Sequence, residues 1–113
     1  MDYKLVISEN AEREIDAVID FLIEKQSLEQ VSAFLDSLEK TYLRIKENPH
    51  QFPLDQSDIL NMQGYRRAYI YDMGYVAFFR IESETINIVG IFNEKQDYYT
   101  HLFNEEESRY SFK

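Results

Sequence analysis

Residues 65–98, YRRAYIYDMGYVAFFRIESETINIVGIFNEKQDY, constrain this chain more than any other stretch. Three runs within it, 65–71, 75–81 and 85–92, are dense in Tyr, Phe, Ile and Val. Those side chains suit a pleated, half-buried surface. Asp72-Met73-Gly74 divides the first two runs and Glu82-Ser83-Glu84 the second two. Links this short close hairpins, and Gly74 offers the positive φ that a tight turn often needs. The stretch predicts a three-stranded antiparallel meander that runs into a polar segment, Asn93-Glu94-Lys95-Gln96-Asp97-Tyr98.

Such a sheet needs a cover, and the first half of the chain supplies one. Residues 2–7, DYKLVI, read as a short strand at or near a sheet edge. Ser8 has the chemistry of an N-cap, with Glu9 and Glu12 at the positive end of a helix dipole. Ala11, Ile15, Val18, Ile19, Leu22 and Ile23 follow at helical spacing, which predicts a helix over 9–25. Glu12, Arg13, Asp16, Asp20 and Glu24 form its solvated face. Ser27-Leu28-Glu29-Gln30 has the form of a capping box. Val31, Phe34, Leu35, Leu38, Tyr42 and Ile45 then predict a second helix over 28–47, which Asn48-Pro49 stops. The link between them permits only an antiparallel hairpin, whose apolar stripes must lie on the sheet. Residues 48–63 make a polar connector, pinned by Phe52, Leu54, Ile59 and Leu60.

The expected fold is therefore α+β in one domain, residues 1–113: a twisted antiparallel sheet, N-terminal strand plus meander, under a helical hairpin. Alternation places Tyr75, Ala77, Phe79 and Ile81 on one face, the more apolar one, which the helices should cover. The other face, with Val76, Phe78 and Arg80, is expected to be more open, and Arg66 is read onto it. Whether Arg66 shares that face with Arg80 depends on a register that alternation leaves open.

Several function classes are disfavoured by composition. Hydrophobic residues at 44% and aromatics at 15% support a packed core rather than disorder. With no cysteine there is no disulfide, thiolate metal site or cysteine nucleophile, and the chain suits a reducing cytosol. No signal peptide and no membrane-length apolar run is evident. His50 and His101 are far apart and lack a partner cluster, so each reads as a surface or loop residue; no metal and no cofactor is expected. The net charge is −9. Residues 1–63 carry six basic and thirteen acidic side chains, and 64–113 carry six and eight. Direct nucleic-acid binding is disfavoured, because phosphate recognition needs concentrated Lys and Arg. The nine tyrosines read as amphipathic core, since no basic groove accompanies them.

Three strings carry a resemblance: Gly64-Tyr65-Arg66-Arg67, Tyr75-Val76-Ala77-Phe78-Phe79-Arg80-Ile81, and Ile91-Phe92-Asn93-Glu94-Lys95-Gln96-Asp97-Tyr98. Together with the opening strand, the helical hairpin and the Asn48-Pro49…Phe52-Pro53 connector, they resemble the RelE/ParE superfamily of toxins from type II toxin–antitoxin systems. In the ParE branch the last strand runs into a His-x-Arg-x-Asp-Tyr-like segment. Here Asn93 stands for the His and Lys95 for the Arg, while Asp97 and Tyr98 are kept.

The resemblance implies two different activities by branch. RelE-type members cleave messenger RNA on the ribosome, using Lys and Arg to stabilise phosphate charge. Arg66 meets one of those basic positions; the next is Ala68, and a third is Val76. Lys95 supplies the only positive charge in the segment 93–98 that follows the fourth strand, and Tyr98 or Tyr99 stands near a tyrosine that some relatives use. Arg66, Lys95 and Tyr98 would be the ribonuclease set, and most of the constellation is missing. ParE-type members instead resemble inhibitors of DNA gyrase that act by binding protein, which requires no nucleophile, base or metal. The resemblance thus favours a ParE-like toxin, with a cognate antitoxin as partner and gyrase, or else the ribosome, as target. A homodimer and a non-toxic binding relative stay open. Family toxins are usually basic; this chain departs from that trend.

The residues expected to meet a target or antitoxin are Arg66, Arg67, Arg80, Lys95, Asp97, Tyr98, Tyr110 and Phe112. Their alternative roles are local: ion pairs with the acidic helices, cross-strand pairs or turn caps. Residues 99–113 form a tail, with Tyr99, Leu102 and Phe103 on one side of a short helix over 96–104, then Glu105-Glu106-Glu107, then Tyr110 and Phe112. Exposed aromatics of this kind suit an antitoxin that wraps its partner, so the tail is expected to serve binding more than folding.

Overall fold

The computed structural model describes residues 2–54, 62–70 and 73–94. Strand β1 spans Lys4–Ile7, helix α1 Glu9–Lys25 and helix α2 Leu28–Glu47. A single 3-10 turn, Pro49–Gln51, follows, and then strands β2, Tyr65–Ile70, β3, Tyr75–Glu82, and β4, Thr85–Asn93. Both helices have the expected bounds. The Ser8 hydroxyl accepts a hydrogen bond from the Ala11 amide at 3.0 Å, and the Ser27 hydroxyl accepts one from the Gln30 amide at 3.3 Å. Gly74 has φ +75°, as the β2–β3 turn requires, and Ser83 takes the left-handed conformation, φ 59°, between β3 and β4.

The sheet order is β1-β4-β3-β2. β2, β3 and β4 form the antiparallel meander. β1 is an edge strand, as expected, but it pairs with β4 in parallel, Leu5 opposite Ile86 and Ile7 opposite Ile88, so the sheet is mixed rather than antiparallel throughout. The connector explains the direction. Leu54 forms an antiparallel bridge to Arg66, so the chain runs back along β2 before entering it, and β2 then points the same way as β1.

The hairpin covers the predicted face. Phe79, Ala77, Ala68, Ile70, Ile86, Ile88 and Ile91 from the sheet pack with Ala11, Val18 and Leu22 of α1 and Phe34, Leu38 and Ile45 of α2. Phe34 meets Tyr75 edge-on at 5.5 Å, and Phe52 of the connector meets Phe79 at 5.8 Å. The helical stripes are narrower than periodicity suggests. Ile23 and Leu35 are 53% and 43% exposed, because each stands a full helical step from its buried neighbour, Leu22 or Phe34. Thr41 is buried instead, its hydroxyl donating to the Ser37 carbonyl at 2.8 Å.

The second face is not open. Tyr65, Val76, Phe78 and Phe92 form a separate buried cluster there, with Val89 against it. A β-bulge brings Phe92 into it. Phe78 pairs with Gly90 and Phe79 with Ile88, leaving Val89 as the extra residue. The bulge shifts β4 by one residue, so Ile86 and Ile88 face the helices before it and Ile91 after it, while Phe92 turns to the second face. Gly90 is needed at this point: a Cβ there would stand 2.6 Å from the Phe92 ring.

A buried hydroxyl among the described residues lacks a partner. The Tyr42 hydroxyl, against the hairpin core, makes no hydrogen bond. Burial, with a smaller contribution from Glu12, pushes its pKa up to about 12. A raised phenol pKa holds stability in full below about pH 10 and loses it as pH climbs towards 12. Tyr42→Phe is expected to be neutral or stabilising by about 1 kcal/mol at neutral pH, because it removes an unsatisfied hydroxyl without changing shape. In urea unfolding at a series of alkaline pH values, the variant should lose less stability over that window than the parent. An equal alkaline loss would place the titrating group elsewhere.

Candidate functional site

β2 and β3 place the described arginines. Register pairs Arg66 with Phe79 and Arg67 with Phe78, while Arg80 lies opposite Tyr65. Arg66 therefore stands on the helix side of the sheet and does not share a face with Arg80, correcting its placement on the more open face. Its guanidinium donates to the Phe52 carbonyl at 2.7 Å and ties the connector to β2. Arg67 and Arg80 share the second face. The Arg67 guanidinium lies over the Tyr69 ring at 5.8 Å and that of Arg80 over Tyr65 at 5.1 Å. Arg80 is also 3.7 Å from Glu82, a partly exposed pair of modest strength. Lys95, Asp97, Tyr98, Tyr99, Tyr110 and Phe112 lie outside the described residues, as does His101. His50 is exposed, with its ring 6.4 Å from that of Tyr3.

The positions where ribonuclease relatives carry positive charge do not converge. Ala68 and Val76 are each 0% exposed, the first under the helices and the second on the opposite face. Arg66 is on the side of Ala68 and committed to the connector. Arg67 and Arg80 keep charge near the surface, but no carboxylate or imidazole among the described residues is set beside them as an acid–base group, since Glu82 is the partner of Arg80.

A second feature lies at the far edge of β4. β1 pairs only with Thr85–Ile88, so the rest of that edge is met by the start of α1. The Ser8 hydroxyl and the Asn10 amide both donate to the Val89 carbonyl, at 3.4 and 3.3 Å. A Glu14 carboxylate oxygen accepts from the Ile91 amide at 3.0 Å and from Asn10 at 3.3 Å. These bonds clasp the bulge and satisfy an edge that would otherwise invite another strand. Glu14 borders an open groove of about 430 Å³ with Phe21, Tyr75, Phe92 and Asn93. Sequence reasoning missed Glu14. Its signal is positional: an acid three residues after Ala11 and four before Val18 sits on the apolar side of α1 and needs a partner there.

Among the described residues there is no group of three or more side chains suited to a metal, and no helix is long and apolar enough to cross a membrane. The described surface carries two arginines stacked on tyrosines, and an open groove beside a partly exposed Phe21.

The comparisons agree with this geometry. No curated protein matches the chain. A solved structure described as a chromosomal ParDE toxin–antitoxin system from P. aeruginosa is similar in fold, with a TM-score of 0.68 at 18% identity. The similarity covers 80% of this chain and 95% of that one. The family model of the ParE toxin of type II toxin–antitoxin systems matches residues 5–98, from β1 through the meander to Tyr98. By that match over most of its length, the chain belongs to the ParE toxin family of type II toxin–antitoxin systems.

Proposed function

We propose that this toxin acts in the cytoplasm by binding a protein target, with DNA gyrase the first candidate, and that a cognate antitoxin neutralises it by occupying the contact surface. The observation that carries the reading is the burial of Ala68 and Val76 on opposite faces of the sheet. A ribonuclease site needs charge at those positions, whereas protein binding does not. Arg67 and Arg80 supply target or antitoxin contacts, with Lys95, Asp97 and Tyr98 beyond β4. Arg66 contributes by holding the connector in place. Tyr110 and Phe112 act as anchors for the antitoxin, since aromatic side chains dominate interface energetics.

Induced expression of the chain alone should slow growth of a bacterial host, and coexpression with the product of the adjacent reading frame should restore it. Normal growth despite abundant soluble protein would assign the chain to non-toxic binding relatives instead.

A further inference from the structure

We propose that the outer edge of β1 pairs with the same edge of a second copy of this chain, antiparallel and two-fold, joining two sheets into one. β1 is the end strand of the sheet. The Lys4 amide donates to the Glu84 carbonyl at 2.9 Å and the Ser8 amide to the Ile88 carbonyl at 3.0 Å, so Lys4 and Val6 turn their backbone groups to β4. Those of Tyr3, Leu5 and Ile7 then point away from the sheet, and nothing among the described residues pairs with them. Elsewhere the sheet edges are met by the chain itself. On β2 the Arg67 amide donates to the Pro53 carbonyl at 3.1 Å and Leu54 bridges Arg66, while Pro53 offers no N–H to a further strand. β4 beyond Ile88 is clasped by Ser8, Asn10 and Glu14. β1 has none of the devices that blunt an edge: no proline, no bulge, and no charge on the helix side.

The edge is complementary to itself, which selects a second copy as its occupant. Antiparallel pairing about Leu5 sets Leu5 opposite the same residue of the second copy and Tyr3 opposite its Ile7. Each such pair exchanges both N–H···O bonds, as outward groups at Tyr3, Leu5 and Ile7 allow. All three side chains lie on the helix side, partly buried against the core. Pairing therefore continues the apolar layer of one copy into that of the next. On the other face the Lys4 stem covers Val6 of the second copy, which is 38% exposed. Asp2 and Lys4 cancel, so the net charge of −9 is not concentrated at the seam. Beside Tyr3 lies an open groove of about 500 Å³ bordered by Leu43, 60% exposed, Lys46 and Glu47. The second copy passes from its Ile7 into α1 at this point, which brings its acidic first turn, Glu9 and Glu12, towards Lys46.

One edge strand with a groove beside it makes a small interface, so the dimer is weak and forms as concentration rises. β1 and β2 end the sheet on opposite sides. Arg67 and Arg80, on β2 and β3, therefore stay clear of the seam, and the dimer presents that surface twice. The pairing itself does not depend on what that surface binds.

The test is amide hydrogen exchange on the full chain without antitoxin, at micromolar and at millimolar concentration. The Leu5 and Ile7 amides should gain protection by about tenfold at the higher concentration, while those of Lys4 and Val6, already turned to β4, should change far less. The sedimenting mass should rise over the same range towards twice that of the chain. Val6→Lys sets a second ammonium opposite that of Lys4 and should abolish both effects. Leu5→Pro, which removes an outward amide that β4 does not use, should do the same, with protection at Lys4 reporting that β1 stays docked. Leu5 and Ile7 amides that exchange freely at every concentration overturn the inference. So does protection that persists at the lowest concentration, since the chain itself would then cover the edge. Protection that appears only with the product of the adjacent reading frame also overturns it, because the antitoxin would be the occupant. Dimerisation that survives both substitutions moves the seam away from β1. A chain that fails to slow growth leaves these readouts unchanged, which separates the pairing from the proposed function.

Discussion

Phe79→Ala should lower the unfolding free energy by about 3–5 kcal/mol. Phe79 is wholly buried where β3 meets the helical hairpin, and its ring meets Phe52 nearly at right angles. Truncation removes apolar burial, leaves a void, and loosens the connector that Arg66 also holds through the Phe52 carbonyl. Domains of this size have a total stability of about 5–15 kcal/mol, so the variant should unfold at much lower urea or not fold at all. A loss below about 1 kcal/mol would mean that the hairpin does not pack on this face.

Phe78→Ala should cost a similar amount, about 3–5 kcal/mol, although Phe78 points the other way. Its ring is 0% exposed and meets Phe92 edge-on at 5.6 Å above Gly90. On an open face the same substitution would remove little buried surface and cost far less. Parallel urea titrations of the two variants therefore ask whether the sheet has one buried face or two. Near equality supports two; a Phe78→Ala loss of only a few tenths of a kcal/mol would refute the second.

The second buried face was the part of the fold that the sequence concealed. Helix bounds were legible because Ser8, Ser27 and Asn48-Pro49 act locally, within one turn of their effect. The strands of the meander and the role of Gly74 were legible for the same reason. The side of β3 that meets the helices followed from alternation, because β3 itself is regular from Tyr75 to Glu82. Alternation does not carry through β4, where the bulge at Val89 changes which residues face each way. It could not place Arg66 either, since only pairing with Phe79 puts that residue under the helices. The parallel alignment of β1 depends on how far the connector runs back, which composition does not encode. Of the candidate site, Arg67 and Arg80 came together as two charges on one face. Glu14 went unseen because its partner, the Ile91 amide, is a backbone group far away in sequence.

The claim that this toxin works by contact rather than by cutting RNA is tested most directly by primer extension. A translated message is mapped in cells whose growth has slowed after induction of the chain, beside uninduced controls. The account predicts slowed growth with an unchanged pattern of 5′ ends, because Ala68 and Val76 stand buried and uncharged where phosphate chemistry needs charge. New cuts at fixed positions within codons, absent from the controls, would contradict it and make Arg66, Lys95 and Tyr98 the residues to mutate next.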